Sequence, residues 1–336
     1  MSPVTILTIA FFAALALTGL WLWLARSRAW LDRPNFRSSH EIPIPLSGGV
    51  GIVVPFVVLA LWPQRPAPDA QGYWMLAAAA GLATTGLIDD FCRLGIRLRL
   101  FLQLLAVASL WPLLVALPPL VLPFALVLHG AVLAALLSVA VLWLVNLYNF
   151  MDGIDALAAT EGIFVCTALA LLTMLAGHPN PDTSLLYLGG TLAGFLFFNL
   201  PPARIFLGDV GSYFLGFMIS VIGFQLIAEG KLGYWTLPIL LGTFVADAST
   251  TLLGRVLAGA VWYHGHRSHA YQLLAARWQS HGLVVVANLV INVVWLFPMA
   301  WLSELRPGYG LWITLLAWLP LAVGAGLVRK AHDVSS

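Results

Sequence analysis

Charge is what this sequence has least of. Asp, Glu, Lys and Arg make up 9% of its 336 residues, where a soluble domain carries about 25%. That shortage excludes a solvated globular enzyme and a disordered chain. Sixteen basic and 14 acidic side chains nearly balance, which gives no reason to expect a nucleic-acid partner. Cysteine is scarce as well. Cys92 and Cys166 have neither metal nor redox spacing and read as small apolar residues outside any disulfide framework. No internal repeat is visible. What the chain does have is apolar surface: 61% of its residues are in the set AVILMFWYC, and its mean hydropathy is +0.93. A bilayer is the common solvent that favours such a surface.

Apolar runs of spanning length recur at 4–25, 46–62, 72–88, 98–117, 125–147, 157–177, 183–199, 211–228, 233–257, 282–303 and 309–328. They predict an all-α polytopic membrane protein with about 11 transmembrane helices, broken at the Pro-rich stretch 118–124. The first run lacks a basic leader and a small-residue cleavage site, so it reads as a retained span. Residues 1–336 read as one membrane-embedded domain. With the loops numbered alternately, thirteen of the sixteen Lys and Arg fall on one side, leaving Arg65, Lys231 and Arg306 on the other. The positive-inside rule makes the richer side cytoplasmic, with the N-terminus outside and the C-terminus inside. The loops expected there are 26–45, 89–97, 148–156, 200–211 and 258–280.

An ionisable group near a bilayer is costly and needs a reason. Asp89-Asp90 ends an otherwise apolar run, where two carboxylates call for a cation or a proton partner; pairing with Arg93 or Arg97 is the plainer reading. Asn146, Asn149, Asp152, Gly153 and Asp155 follow, with amides and acids three apart and hence on one helical face. Asn199 and Asp209 flank a Pro/Gly-rich loop. Gly211 and Ser212 just beyond it are expected to offer backbone N–H groups to a phosphate, and Asp209 would then need a divalent ion between itself and that phosphate. A helix N-cap by Asp209 or Ser212 is the alternative. His264, His266, Arg267 and His269 suit a diphosphate clamp or a zinc site, with Arg267 favouring phosphate. The polar segment 32–40 leads into Pro45-Leu46-Ser47-Gly48-Gly49. Asp247 reads as the deepest acid, bonded to Thr243, Thr250 or Thr251.

The pieces DRPNFRSSH, LIDD, NLYNFMDGIDALA, NLPPARIFLGDVGSYFLGF, DASTTLLGR and HRSHAYQ stand in this order from Asp32 to Gln272. Together they resemble the polyprenyl-phosphate N-acetylaminosugar-1-phosphate transferases, glycosyltransferase family 4, in the branch that initiates O-antigen or related surface polysaccharides. The chain departs from the family pattern in lacking an Arg at Leu46, in carrying Ala156 where Gly is usual, and in its Ala258-Gly-Ala260-Val261 segment. The resemblance implies transfer of a HexNAc-1-phosphate from a UDP-sugar to undecaprenyl phosphate, with release of UMP, at the cytoplasmic face of a bacterial inner membrane. It implies Mg²⁺, with Mn²⁺ as an alternative, held by Asp209 with Asp90 and Asp152. Asp89 and Asp90 would position or deprotonate the lipid phosphate. Asn146, Asn149, Asp152, Asp155, Asn199, Phe206, Gly211 and Ser212 would bind substrate, with Phe206 stacking on uracil. His266, Arg267 and His269 would stabilise transition-state charge. Direct attack and a route through a covalent Asp intermediate both remain open. So do a homodimer, an inactive member of the family, and a transporter or lipid flippase, although the acids cluster at one face and no repeat is seen.

Overall fold

The computed structural model describes residues 1–32, 42–62, 70–259 and 267–335, the side chains of the last three excepted. Arg33, Arg37, His40, Arg65, His264 and His266 lie outside the described residues.

Among the described residues the structure is nearly all helical. α1 (Pro3–Ser27) starts at Ser2, whose hydroxyl accepts from the Thr5 amide, with Pro3 at the first helical position. A two-residue ladder pairs β1 (Leu31–Asp32) with β2 (Ile44–Pro45). α2 (Val50–Ala60), α3 (Ala70–Cys92), α4 (Ile96–Ala108) and α5 (Trp111–Ala116) follow. The Pro-rich break forms a small hairpin, β3 (Leu120–Val121) with β4 (Val127–Leu128). Then come α6 (Gly130–Met151), α7 (Leu157–Leu175), α8 (Thr183–Asn199), α9 (Gly208–Ala228), α10 (Thr236–Leu240), α11 (Gly242–Leu257), α12 (Ala270–Trp278) and α13 (His281–Ile291). A π-helical turn (Asn292–Leu296) joins α13 to α14 (Phe297–Leu305), and α15 (Gly310–Ser335) ends the described chain.

Among the described residues seven helices are long and apolar enough to cross a membrane, and the chain is a polytopic membrane protein. Helix is found within each of the eleven apolar runs, but several are not single spans. The run 98–117 breaks between α4 and α5 and 233–257 breaks at Leu241, whereas α13, the π turn and α14 continue as one helix of spanning length, His281–Leu305. Residues 46–49 leave the second run to pair with the loop before α9, where the Gly48 and Gly49 amides donate to the Phe206 and Leu207 carbonyls. What remains is α2, whose 11 residues extend about 16 Å, short of a hydrocarbon core about 30 Å thick.

α9 is the axis of the bundle, buried along nearly its whole length from Val210 to Ile227. A helix apolar all round must be enclosed by others, and α3, α6 and α7 pack on it. α1 lies along α8, where Gly190 and Gly194 stand one turn apart. A Cβ on Gly194 would sit 2.4 Å from the Phe11 carbonyl oxygen, so these two helices touch backbone to backbone, as small residues permit in lipid.

Candidate active site

The ends of α3 and α6 and the start of α9 meet at one point, and the acids singled out in the sequence lie there. Asp90 caps α9. Its Oδ1 accepts from the Asp209 amide at 2.9 Å, and its Oδ2 accepts from the Ser47 hydroxyl at 2.6 Å. A carboxylate at a helix N-terminus satisfies amides that have no intrahelical partner and offsets the positive end of the dipole. This corrects two expectations. The helix starts at Gly208, so Gly211 and Ser212 lie inside its first turns, and the anion at its start is the protein's own Asp90. Ser212 is buried and receives the Asn149 amide at 3.2 Å; Gly211 packs on Gly49.

Asp89 turns the other way. It accepts from the Leu94 amide at 2.6 Å and pairs with Arg99 at 3.1 Å, rather than with Arg93 or Arg97. The Tyr213 hydroxyl is 3.2 Å from Asp89 Oδ2 and 3.3 Å from Asp209 Oδ2, so its single proton serves one of the two acids at a time. Asn149 donates to Asp209 Oδ1 at 2.6 Å. Asp152 ends α6 beside them. Burial, then the charges of Asp209 and Asp90, push its carboxyl well above the usual carboxylate range.

Asp89, Asp90, Asp152 and Asp209 thus crowd together, with Arg99 paired to one of them. Among the described residues no three His, Cys, Asp or Glu side chains form a metal cage. The donor set fits Mg²⁺ nonetheless: the ligands are hard oxygens, the negative charge is in excess, and this ion takes one or two carboxylates and completes its shell with water and phosphate oxygens. Asp90 accepts from the Asp209 amide and Asp152 from the Gly208 amide, which leaves Asp209 as a carboxylate held by side chains, with Asp152 beside it.

Two cavities adjoin the cluster. A cleft of about 640 Å³ has polar walls that include Asp32, Arg93, Arg99, Asp90 and Asp209, with Trp30 at its side. An apolar pocket of about 270 Å³ is lined by Leu100, Val139, Trp143 and Phe150, and it reaches Arg99, Asn149 and Tyr213. Asn146 faces this pocket with its NH₂ group donating to Gln103 at 2.9 Å and to the Leu142 carbonyl at 2.8 Å. It therefore stands in the wall of this pocket with its NH₂ group already bonded.

Two other residues expected to bind substrate, Asp155 and Asn199, spend their side chains on the scaffold. Asp155 accepts from the Ala203 amide at 3.0 Å and lies 3.2 Å from His281. Asn199 bridges the Ala156 amide and the Ile205 carbonyl, both at 2.9 Å. These bonds tie the turn after α6 to the loop before α9. Phe206 is partly buried, and its backbone pairs with Pro45 and Gly48. Ala156 has φ +66°, a left-handed conformation that glycine adopts freely and that costs other residues about 1–2 kcal/mol. The departure from the family's glycine therefore falls on the one position of this turn where backbone geometry favours that residue.

The His segment docks on the same point. Asp247 caps α12, accepting from the Ala270 and Tyr271 amides at 2.8 and 2.9 Å and from Thr251 at 3.1 Å. His269 sits 3.6 Å from Asp247 and stacks between Phe150 and Tyr271. The Tyr271 hydroxyl donates to the Phe150 carbonyl at 2.9 Å, and a Cβ on Gly153 would stand 2.1 Å from that hydroxyl. The glycine of the Asp152-Gly153 pair is thus a landing site for Tyr271. Arg267 is exposed beside this segment. Asp247→Ala is expected to free the start of α12 and speed amide exchange at Ala270 and Tyr271 at least tenfold. Exchange within twofold of wild type would show that α12 is held without it. Asp247 is not the deepest acid: it is 6% exposed, while Glu161 in α7 is fully buried.

Sequence reading missed Glu161, His281, Arg99, Tyr213 and Gly86. Tyr213 carried a signal, standing four residues after Asp209 on one helix face. Arg99 and His281 reach their acids only through tertiary contacts.

The family model described as glycosyl transferase family 4 matches residues 73–227, which span α3 to α9 and include Asp89, Asp90, Asn149, Asp152 and Asp209. The chain is 28% identical over 277 residues to a probable undecaprenyl-phosphate N-acetylglucosaminyl 1-phosphate transferase of Bacillus subtilis, covering 79% of this chain and 75% of that protein. It is 27% identical over 294 residues to an undecaprenyl-phosphate alpha-N-acetylglucosaminyl 1-phosphate transferase of Thermotoga maritima, covering 85% and 86%. It is 29% identical over 290 residues to a phospho-N-acetylmuramoyl-pentapeptide-transferase of Chlamydia muridarum, covering 75% and 84%.

Proposed function

The chain belongs to glycosyl transferase family 4, and from that premise we propose that it transfers a HexNAc-1-phosphate from a UDP-sugar to undecaprenyl phosphate, releasing UMP. The observation that carries this reading is the meeting of a polar cleft and an apolar pocket at the Asp209 cluster. A water-soluble donor and a lipid acceptor need such a junction. The positive-inside bias supports a cytoplasmic site, where nucleotide sugars are available.

The chemistry is one phosphoryl transfer. An oxygen of the lipid phosphate attacks the sugar-linked phosphorus, the phosphorus–oxygen bond to UMP breaks, and UMP leaves. Such a reaction asks the protein for alignment and charge neutralisation more than for covalent work. Mg²⁺, when bound, would draw charge from the donor diphosphate. Asp209, with Asp152, would hold it, and Asn149 and Tyr213 orient Asp209. Arg99, which lines both cavities, pairs with Asp89 and is placed to meet the acceptor phosphate. The apolar walls at Leu100, Val139 and Trp143 would take the first isoprene units. His269 and Arg267 belong to the segment leading into α12, which docks on the Asp152-Gly153 turn, and from there they would meet the leaving phosphate. With Asp90 and Asp155 engaged in structural hydrogen bonds, direct attack is the simpler route. We further propose that the product initiates a surface polysaccharide in the bacterial inner membrane.

The test offers the purified protein undecaprenyl phosphate and Mg²⁺ with UDP-GlcNAc, UDP-GalNAc and UDP-linked FucNAc and QuiNAc in turn. UMP release and mass spectrometry of the lipid are the readouts. One donor is expected to give a lipid diphosphate-sugar. Folded protein that releases no UMP from any of them would sink the reading.

A further inference from the structure

The mechanism leaves one titratable group unused at the centre of the bundle. Glu161 is fully buried in α7, in the first turns after the acid-bearing turn. A carboxyl in such a place is costly unless it is well bonded. Its Oε2 accepts from two amides of the α13 segment, Asn288 at 2.9 Å and Asn292 at 2.5 Å. Asn292 opens the π turn, and its own oxygen lies 3.3 Å from the Thr243 hydroxyl of α11. Glu161 Oε1 has no hydrogen-bond partner among the described residues, and neither does the buried hydroxyl of Tyr148, which is near enough to feel the Glu161 charge. Tyr148 is the residue before Asn149, the ligand of Asp209.

α13 is held at a second place. His281, at its first position, lies 3.2 Å from the Asp155 carboxylate, and Asp155 receives the Ala203 amide of the loop before α9. Two contacts of one helix therefore hold the chain at Asp155 and at Glu161, directly after Asp152. A helix held at one contact can slide or pivot; held at two it sets the height of what it touches.

We infer that Glu161 and His281 are positioning residues, which pin α13 at two levels and thereby fix the 152–157 turn and the 200–207 loop that present Asp152 and Asp209. Only the kinetic half of this inference rests on the transferase reading. Hydrogen bonding to Asn288 and Asn292, rather than net charge, does the holding. A glutamine can do the same, with its oxygen toward the asparagines and its NH₂ toward the Tyr148 hydroxyl.

The experiment compares wild type, Glu161→Leu, Glu161→Gln, Asn288→Leu, His281→Ala and the Glu161→Leu/His281→Ala double variant, all as intact chains in detergent. Amide hydrogen exchange is read first. Glu161→Leu and His281→Ala should each speed exchange at least tenfold at Ala156 and Ala203, while α1 and α8 stay at wild-type rates. Asn288→Leu, which keeps the carboxyl, covers the case in which Glu161→Leu fails to fold, and should show a smaller increase at the same amides. UMP release is read second: kcat should fall about tenfold with the donor KM within threefold, the double variant should be no worse than the poorer single one, and Glu161→Gln should stay within threefold of wild type. Unchanged exchange at Ala156 and Ala203 overturns the inference whatever the activity. So does a glutamine variant as impaired as the leucine one, or additive losses in the double variant. Faster exchange as expected, in a protein whose wild type releases no UMP, upholds the inference and overturns the transferase reading alone.

Discussion

Asp209→Asn is expected to lower kcat for UMP release about a thousandfold, a loss of about 4 kcal/mol of transition-state stabilisation. The substitution is nearly isosteric, and the Asn149 and Tyr213 contacts at 2.6 and 3.3 Å can survive it in part, so the fold should hold. What goes is the charge that would face a divalent ion. Mg²⁺ is expected to raise the thermal stability of the wild type, since binding to the folded state alone stabilises it, and the variant should lose that rise. The Mg²⁺ needed for half saturation should fall as pH rises. Asp152 carries a raised pKa, so at lower pH the ion must displace its proton, and above that pKa no proton competes. Retention of most of the activity by Asp209→Asn would refute the metal assignment.

Gly86→Val is expected to cost at least a hundredfold in kcat/KM while leaving a membrane-inserted protein. α3 and α9 cross at this glycine, where an added Cβ would stand 2.3 Å from the Asp209 carbonyl oxygen and 2.5 Å from the Val210 nitrogen. The helices must part, and Asp90 then loses its 2.9 Å bond to the Asp209 amide. Displacements near 1 Å in a reacting constellation can cost about a hundredfold. Gly81, on the same helix, has nothing within 4 Å of an added Cβ. Gly81→Val should be active within twofold, and equal losses at the two positions would show that the α3–α9 crossing is not responsible.

Much of the site was legible in the residues, because bilayers make charge expensive and so make each acid informative. Asp89, Asp90, Asn149, Asp152 and Asp209 do converge. The sequence did not reveal which of them face substrate. Asp155 and Asn199 have the residue types of a binding site, yet they spend their oxygens on the Ala203 and Ala156 amides. A polar side chain beside a tight loop has two possible employments, and only the path of the backbone decides between them. Helix breaks were also hidden. The breaks at Ser109 and Leu241 are followed by Pro112 and Gly242, but other helices carry Pro55 and Pro320 without breaking, so these residues alone did not mark the breaks. Glu161 was missed because its partners lie more than a hundred residues further along the chain.

The contact between α1 and α8 has a consequence for how this protein is made. Ser27 and Thr183 bound a stretch of more than 150 residues that must be synthesised before the two helices can meet. At about 5–20 residues per second, the ribosome takes on the order of ten seconds or more to supply it. Through that interval the α1 surface around Phe11 and Ala14 has no partner but lipid. Gly190 and Gly194 end the wait by offering a groove shallow enough for the α1 backbone to enter. α1 can pack on α2 early, but its face toward α8 is thus completed late.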